Sequence, residues 1–157
     1  MNRRQLLSSL GALSVGSVAM KASAEKFEVT KTEAEWRKQL SPEAYKVLRD
    51  HGTERAGSSP LDREKRVGVF HCAGCDLPLF ASQTKFDSGT GWPSFFQPLP
   101  NAIATTSDRS FFMTRTEVHC RRCGGHLGHV FDDGPKPTGL RYCMNGVSLR
   151  FEPAKAS

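Results

Sequence analysis

No run of this sequence is long and apolar enough for a permanent membrane span; the best stretch, Leu6 to Met20, is short and diluted by Ser and Gly. A basic stripe is missing too. Lys and Arg outnumber Asp and Glu by 22 to 16, but Arg3, Arg4 and Lys21 fall in the first 24 residues, which hold no acidic residue. Beyond them 19 basic residues face 16 acidic ones, a balance that requires no polyanionic partner and argues against nucleic acid. The first 24 residues also lack cysteine, which excludes lipid attachment there.

What that segment does have is Arg3-Arg4, a modest apolar stretch, and Ala22-Ser23-Ala24 just before Glu25. This is the form of a cleaved export signal. The paired arginines and Lys21 resemble a twin-arginine signal, although Asn2 before the pair and Gln5-Leu6-Leu7 after it depart from the consensus. An ordinary secretory signal, or a cytoplasmic protein with an apolar start, are the competing readings. The expectation is a bacterial protein exported to the periplasm, with residues 1–24 removed and residues 25–157 forming one domain without a stable membrane anchor.

Few signals in the remainder suggest long helices. Thr32-Glu33-Ala34-Glu35 has the form of a capping box and predicts a short helix to about Gln39. Ser41-Pro42-Glu43 predicts a second, with Ser41 as N-cap, Pro42 in the first turn and Gly52 placed to end it. From Gly52 to Leu61 turn-formers predict a loop. Beyond Arg66 short strand-like runs take over: Val67–Phe70, Pro78–Phe80, Ser110–Met113, Thr116–Val118, and Arg141–Phe151 with a break at Gly146. The fold class expected is mainly β, with antiparallel sheets behind short N-terminal helices.

Of five cysteines, four fall into two CxxC turns, Cys72/Cys75 and Cys120/Cys123. Two such turns let four thiolates converge tetrahedrally on zinc. Each is entered by a histidine, His71 or His119, which strand alternation points away from its cysteine, so the ligand set favoured is four sulfurs and one structural Zn²⁺ per chain. Two disulfides, or a redox CxxC, would use the same residues differently.

Cys143 is left over, as an inert buried side chain or a reactive thiol. In Arg141-Tyr142-Cys143-Met144-Asn145, alternation puts Arg141, Cys143 and Asn145 on one face, where a cation and an amide would favour a thiolate. His126 and His129 offer imidazoles three residues apart, as a second metal site, as solvated loop residues, or as a proton donor near neutral pH. Gly91-Trp92-Pro93-Ser94 is a proline-stiffened aromatic turn, suited to plugging a core or to receiving a ligand.

Taken together, the paired CxxC turns, Asp87–Phe95, His126–Gly134 and Arg141–Asn145 resemble the B-type peptide-methionine sulfoxide reductases, which act on the R epimer. The resemblance runs from about Thr32 to Pro153 and implies a mainly β fold of coiled antiparallel sheets. It makes Cys143 the nucleophile and the four CxxC cysteines the zinc ligands. By the same resemblance His126, His129 and Asn145 shape the sulfoxide-oxygen site, and Trp92 packs on the substrate S-methyl group. The chemistry suits these residue types. A thiolate attacks the sulfoxide sulfur while the oxygen is protonated, with His129 the first choice of donor, and the products are methionine and a sulfenic acid on Cys143.

One departure stands out. Many members carry a resolving cysteine where this chain has Thr90, so recycling through an internal disulfide is in doubt and an external reductant, a thioredoxin-like protein or a small thiol, is expected. Oxidised proteins are the expected substrates. A non-enzymatic zinc module with Arg121-Arg122 at its tip, and a CxxC thiol–disulfide oxidoreductase, are the readings from other classes.

Overall fold

Both helix starts are written in their first residues. The computed structural model describes residues 26–156; the export signal read over residues 1–24 lies outside the described residues. Thr32 caps α1 (Glu33–Gln39) with its hydroxyl on the Glu35 amide, while the Glu35 carboxylate returns to the Thr32 amide, closing the capping box. Ser41 caps α2 (Pro42–Leu48), and Pro42 sits in its first turn. The left-handed residue after α2 is His51 (φ 54°) rather than Gly52, whose amide instead closes onto the Lys46 carbonyl at 2.8 Å.

Among the described residues nine strands follow, in two antiparallel sheets. The first has the order β2 (Pro78–Ala81), β1 (Gly68–Cys72), β9 (Leu149–Pro153). The second has the order β3 (Lys85–Phe86), β4 (Ser94–Phe95), β8 (Arg141–Met144), β7 (His126–Phe131), β6 (Arg115–Cys120), β5 (Ile103–Asp108). The run expected as one strand from Arg141 to Phe151 breaks as foreseen near Gly146, at a 3₁₀ turn (Gly146–Ser148). Its halves go to different sheets, so the chain crosses between layers immediately after Cys143.

The core lies between the sheets and under the helices. Phe80 stacks on Phe95 with ring centroids 4.3 Å apart, and Phe70 meets Phe95 edge-on at 5.0 Å. Trp36, Tyr45 and Leu48 from the helices, with Leu127 and Met144 from β7 and β8, complete it. Burying such a set removes several hundred Å² of apolar surface from water, at about 25 cal/mol per Å².

One expectation needs correction, and one alternative reading falls away. Ser110–Met113 is not a strand. Ser110–Phe112 is a 3₁₀ turn linking β5 to β6, held by the Asp108 carboxylate on the Ser110 amide at 2.9 Å, with Phe111 (φ 55°) and Phe112 (φ 57°) both left-handed. Local side-chain capping and chain reversal override the β-propensity of two phenylalanines, which end up exposed. The histidines of His126–Phe131 are not on a loop: they ride the central strand β7.

Candidate active site and thiol cluster

The two CxxC turns are built alike. The Cys72 amide donates to the Leu77 carbonyl and its own carbonyl accepts from Asp76; Cys120 repeats this with Gly125 and Gly124, all at 2.8–2.9 Å. Each needs a left-handed residue four positions after the first cysteine, supplied by Asp76 (φ 66°) and Gly124 (φ 69°). At the second, a Cβ would also strike the Phe27 ring at 2.4 Å, so glycine is required there on two counts.

Cys72 ends β1 in one sheet and Cys120 ends β6 in the other, so the four sulfurs join the layers. Cys72 and Cys123 lie 3.7 Å apart, Cys75 and Cys120 3.4 Å, and all four within 4.8 Å. A disulfide needs about 2.05 Å. Four thiolates on a tetrahedral ion, each at about 2.3 Å, would lie about 3.8 Å apart. The group therefore fits a metal ion. Hydrogen bonding to Cys120, then burial, pushes the Cys72 and Cys123 thiols up, while Cys120 is pulled down by its sulfur neighbours. A divalent cation would remove the need to share protons in this way.

The second constellation lies on the larger sheet. Ser94 on β4, Cys143 on β8, His129 on β7 and Glu117 on β6 are in register across four strands. Directly opposed residues share a face, so Cys143 and His129 are side-by-side neighbours. Tyr142 and Met144 alternate to the other face, where Met144 is fully buried. Gly128, paired with Met144, permits this closeness: a Cβ there would sit 2.0 Å from the Cys143 carbonyl.

His126 and His129, three apart, would point to opposite faces of a regular strand. A bulge prevents this. His119 pairs with His126 and Val118 with Gly128, so Leu127 is an extra residue and the alternation slips by one. The two imidazoles meet edge-on with centroids 5.4 Å apart.

A cavity of about 120 Å³ opens over Cys143, lined by Thr53, Trp92, Arg115, His129, Phe131 and Asn145 among others. Of the residues predicted from sequence, Cys143, His129, Trp92 and Asn145 thus meet at one cavity. His126 lines the adjoining groove, which shares Thr53, Arg115 and His129 with it. Asn145 is nearly buried and its amide is engaged: Oδ1 accepts from the Glu54 amide at 2.9 Å and Nδ2 donates to the Leu127 carbonyl at 3.0 Å. Trp92 is half-buried, its indole N–H donating to the Glu54 carbonyl at 3.1 Å.

The Cys143 thiol is pushed up by burial, against the downward pull of Arg141 and of the nearby Thr90 hydroxyl. The cation expected beside it is present, but Arg141 is also clamped bidentately by Asp133 at 2.8 and 3.0 Å. Desolvation wins. Burial therefore disfavours the thiolate form of this sulfur.

His129 places Nε2 2.7 Å from Asp108 Oδ2. Asp108 is held well below the usual carboxylate range by the Ser110 amide and hydroxyl and by His129, with Arg115 2.9 Å from the same oxygen. A carboxylate can only accept, so Nε2 carries the proton and Nδ1 is left free. Burial lowers the pKa of His129, outweighing Asp108, and Arg115 and His126 push the same way.

Several contributors escaped the sequence reading. Glu54 ties the cavity together, with its carboxylate accepting from the Gly146 and Val147 amides at 2.7 and 2.9 Å and its backbone holding Trp92 and Asn145. It sits in a stretch read only as turn-formers. Arg115 and Glu117 alternate on one face of β6, a charged i, i+2 pair that could have marked a polar sheet face. Asp108 carried no local signal.

Residues 40–153 match the family model described as the SelR domain. The chain is 56% identical over 127 residues to the peptide methionine sulfoxide reductase MsrB of Agrobacterium fabrum, covering 80% of this chain and 94% of that one. It is 57% identical over 127 residues to the MsrB of Pseudomonas putida, covering 80% and 96%. With the chloroplastic peptide methionine sulfoxide reductase B1 of Arabidopsis thaliana it shares 55% identity over 120 residues, 76% of this chain and 59% of the plant protein.

Proposed function

The chain belongs to the SelR-domain family of peptide methionine sulfoxide reductases, and from that premise we propose that it reduces protein-bound methionine-R-sulfoxide, with Cys143 as nucleophile. The observation that carries the assignment of residues is the in-register pairing of Cys143 with His129 at the floor of a small cavity walled by Trp92. A sulfoxide offers an electrophilic sulfur, a basic oxygen and a methyl group. Cys143 is placed for the first, His129 for the second, and the Trp92 ring supplies apolar surface for the third.

The Cys143 sulfur attacks the sulfoxide sulfur and forms an S–S bond. The protonated oxygen then passes from the substrate sulfur to Cys143 as the S–O and S–S bonds break, leaving a sulfenic acid on Cys143 and releasing methionine. The thiol brings one proton and the oxygen needs one. His129, with Nδ1 free and Nε2–H held by Asp108, can pass it across, a contribution of typically 10²–10⁴ in rate. His126 and Asn145 shape the oxygen side of the pocket. The decisive assay offers the two separated epimers of a methionine-sulfoxide peptide with dithiothreitol. The R epimer should turn over and the S epimer should not; equal turnover, or none, would sink the reading.

Cys72, Cys75, Cys120 and Cys123 hold one structural Zn²⁺ on this reading, supported by sulfur spacings close to those of a tetrahedral thiolate site. Recycling depends on an external thiol, a thioredoxin-like protein or a small molecule, which attacks the sulfenic acid, releases water and leaves a mixed disulfide. Thr90 supports this: its hydroxyl is near enough to influence the Cys143 thiol, but it offers no sulfur for a disulfide. After one turnover without reductant, mass spectrometry should find one added oxygen on Cys143 and no internal disulfide, whereas Thr90→Cys should pair with it. A wild-type Cys143 disulfide to Cys72, Cys75, Cys120 or Cys123, with metal released, would overturn the recycling scheme.

The Arg3-Arg4 pair and Ala22-Ser23-Ala24 support export to the periplasm by the twin-arginine route, which lets the thiols take up metal in a reducing cytoplasm first. Changing Arg3 and Arg4 to lysine should leave folded, metal-loaded precursor inside the cell. Undiminished export would point to the secretory route.

A further inference from the structure

Among the described residues, one other set of side chains outside the thiol cluster has the composition of a metal site. Glu117 on β6 points Oε1 at two imidazole nitrogens, 2.9 Å from His126 Nδ1 and 3.3 Å from His51 Nδ1, and the three ligand atoms lie within 4.8 Å of one another. Donors on a tetrahedral ion at about 2.0–2.1 Å lie about 3.3 Å apart. Of the two imidazole–carboxylate pairs, one already has that spacing and the other need open by only a few tenths of an ångström, while the two imidazole donors lie within 4.8 Å of each other. His126 and Glu117 are buried or nearly so and held by the sheet, while the His51 side chain is 66% exposed and free to adjust. His119 Nδ1 stands 3.7 Å from the other oxygen, Oε2, and steadies the carboxylate from behind, as partners beyond the ligands do in metal sites.

The backbone favours this placement. His51 holds a left-handed conformation (φ 54°) in the turn after α2, which brings its ring within 5.2 Å of His126, centroid to centroid. A groove of about 410 Å³ opens beside the three residues and gives an ion an approach and room for water.

We propose that His51, Glu117 and His126 form a second divalent-cation site, taking a borderline ion such as Zn²⁺ or Ni²⁺, and that filling it inhibits the enzyme. Two imidazoles and one carboxylate are the donor set such ions prefer. The inhibitory part rests on the function proposed above, because the ion would recruit His126 and occupy the groove that shares Arg115 and His129 with the Cys143 cavity. The binding part does not depend on it.

The probe is Zn²⁺ added to metal-loaded, untagged Cys143→Ser protein, where the one thiol outside the cluster can no longer compete. Equilibrium dialysis with elemental analysis should find one zinc per chain beyond the structural one at micromolar free metal. His51→Ala should weaken that extra binding by more than about tenfold and leave the first zinc in place. In the Cys143 enzyme, His51→Ala should keep basal turnover and lose sensitivity to micromolar zinc. No extra zinc, or extra zinc indifferent to His51→Ala, would show that the imidazoles merely hydrogen-bond to Glu117. Extra zinc that leaves sulfoxide turnover unchanged would overturn the inhibitory part. An enzyme inactive before zinc is added would refute the proposed function while the dialysis still decides the site.

Discussion

Cys143→Ser should leave a folded, metal-loaded protein that reduces methionine-R-sulfoxide at least about ten-thousand-fold more slowly than the parent. The expectation follows from the chemistry of one atom. Serine has a hydroxyl that does not ionise near neutral pH, and an oxygen nucleophile cannot take over a transfer whose product is a cysteine sulfenic acid. Nothing in the fold should object. Cys143 is only half-buried, its backbone ladder to Ser94 and His129 is unchanged by the substitution, and oxygen is smaller than sulfur. The melting temperature and zinc content should therefore match the parent, which separates loss of chemistry from loss of structure. Residual turnover within tenfold of wild type would place the nucleophile elsewhere. A non-enzymatic zinc module would not respond at all.

Cys72→Ser or Cys120→Ser should have the opposite signature: no metal and no cooperative melting transition. Cys72 closes β1 and Cys120 closes β6, so the ion would bridge two sheets through sulfurs 45 and 51 residues apart in the chain. Structural zinc contributes roughly 10–16 kcal/mol of apparent binding energy on folding, against a net stability of about 5–15 kcal/mol for a domain of this size. Losing it would consume most or all of an ordinary reserve. Without the ion, nothing ties together the four sulfurs that lie within 4.8 Å of one another between the two sheets. Extraction by a strong chelator should reproduce the mutant. A metal-free protein with an unchanged melt would show that the thiol cluster is not structural.

Much of this was legible before any fold was known, and for one reason. The capping box at Thr32–Glu35, the Ser41-Pro42 helix start and the two CxxC turns are decided by interactions spanning three to five residues, so their chemistry is written locally. Cys143 stood out by arithmetic, as the thiol left after four were grouped, and family resemblance supplied Trp92, His126, His129 and Asn145. The sequence alone therefore determined the class of fold, the likeness to a reductase family and the candidate for the reactive atom. It could not determine how that atom is served. The partnership of His129 with Asp108, and of Asp108 with Arg115, joins residues on three strands. The single extra residue at Leu127 is what turns His126 toward His129, and a bulge is a property of paired strands that neither strand carries alone. Glu54 gathers Trp92, Asn145, Gly146 and Val147 from stretches 38 to 93 residues away. Even the state of Cys143 was decided this way: Arg141 argued for a thiolate, but burial in the packed sheet outweighs that charge. Each of these depends on strand register and on exclusion of water, which exist only once distant segments have packed together.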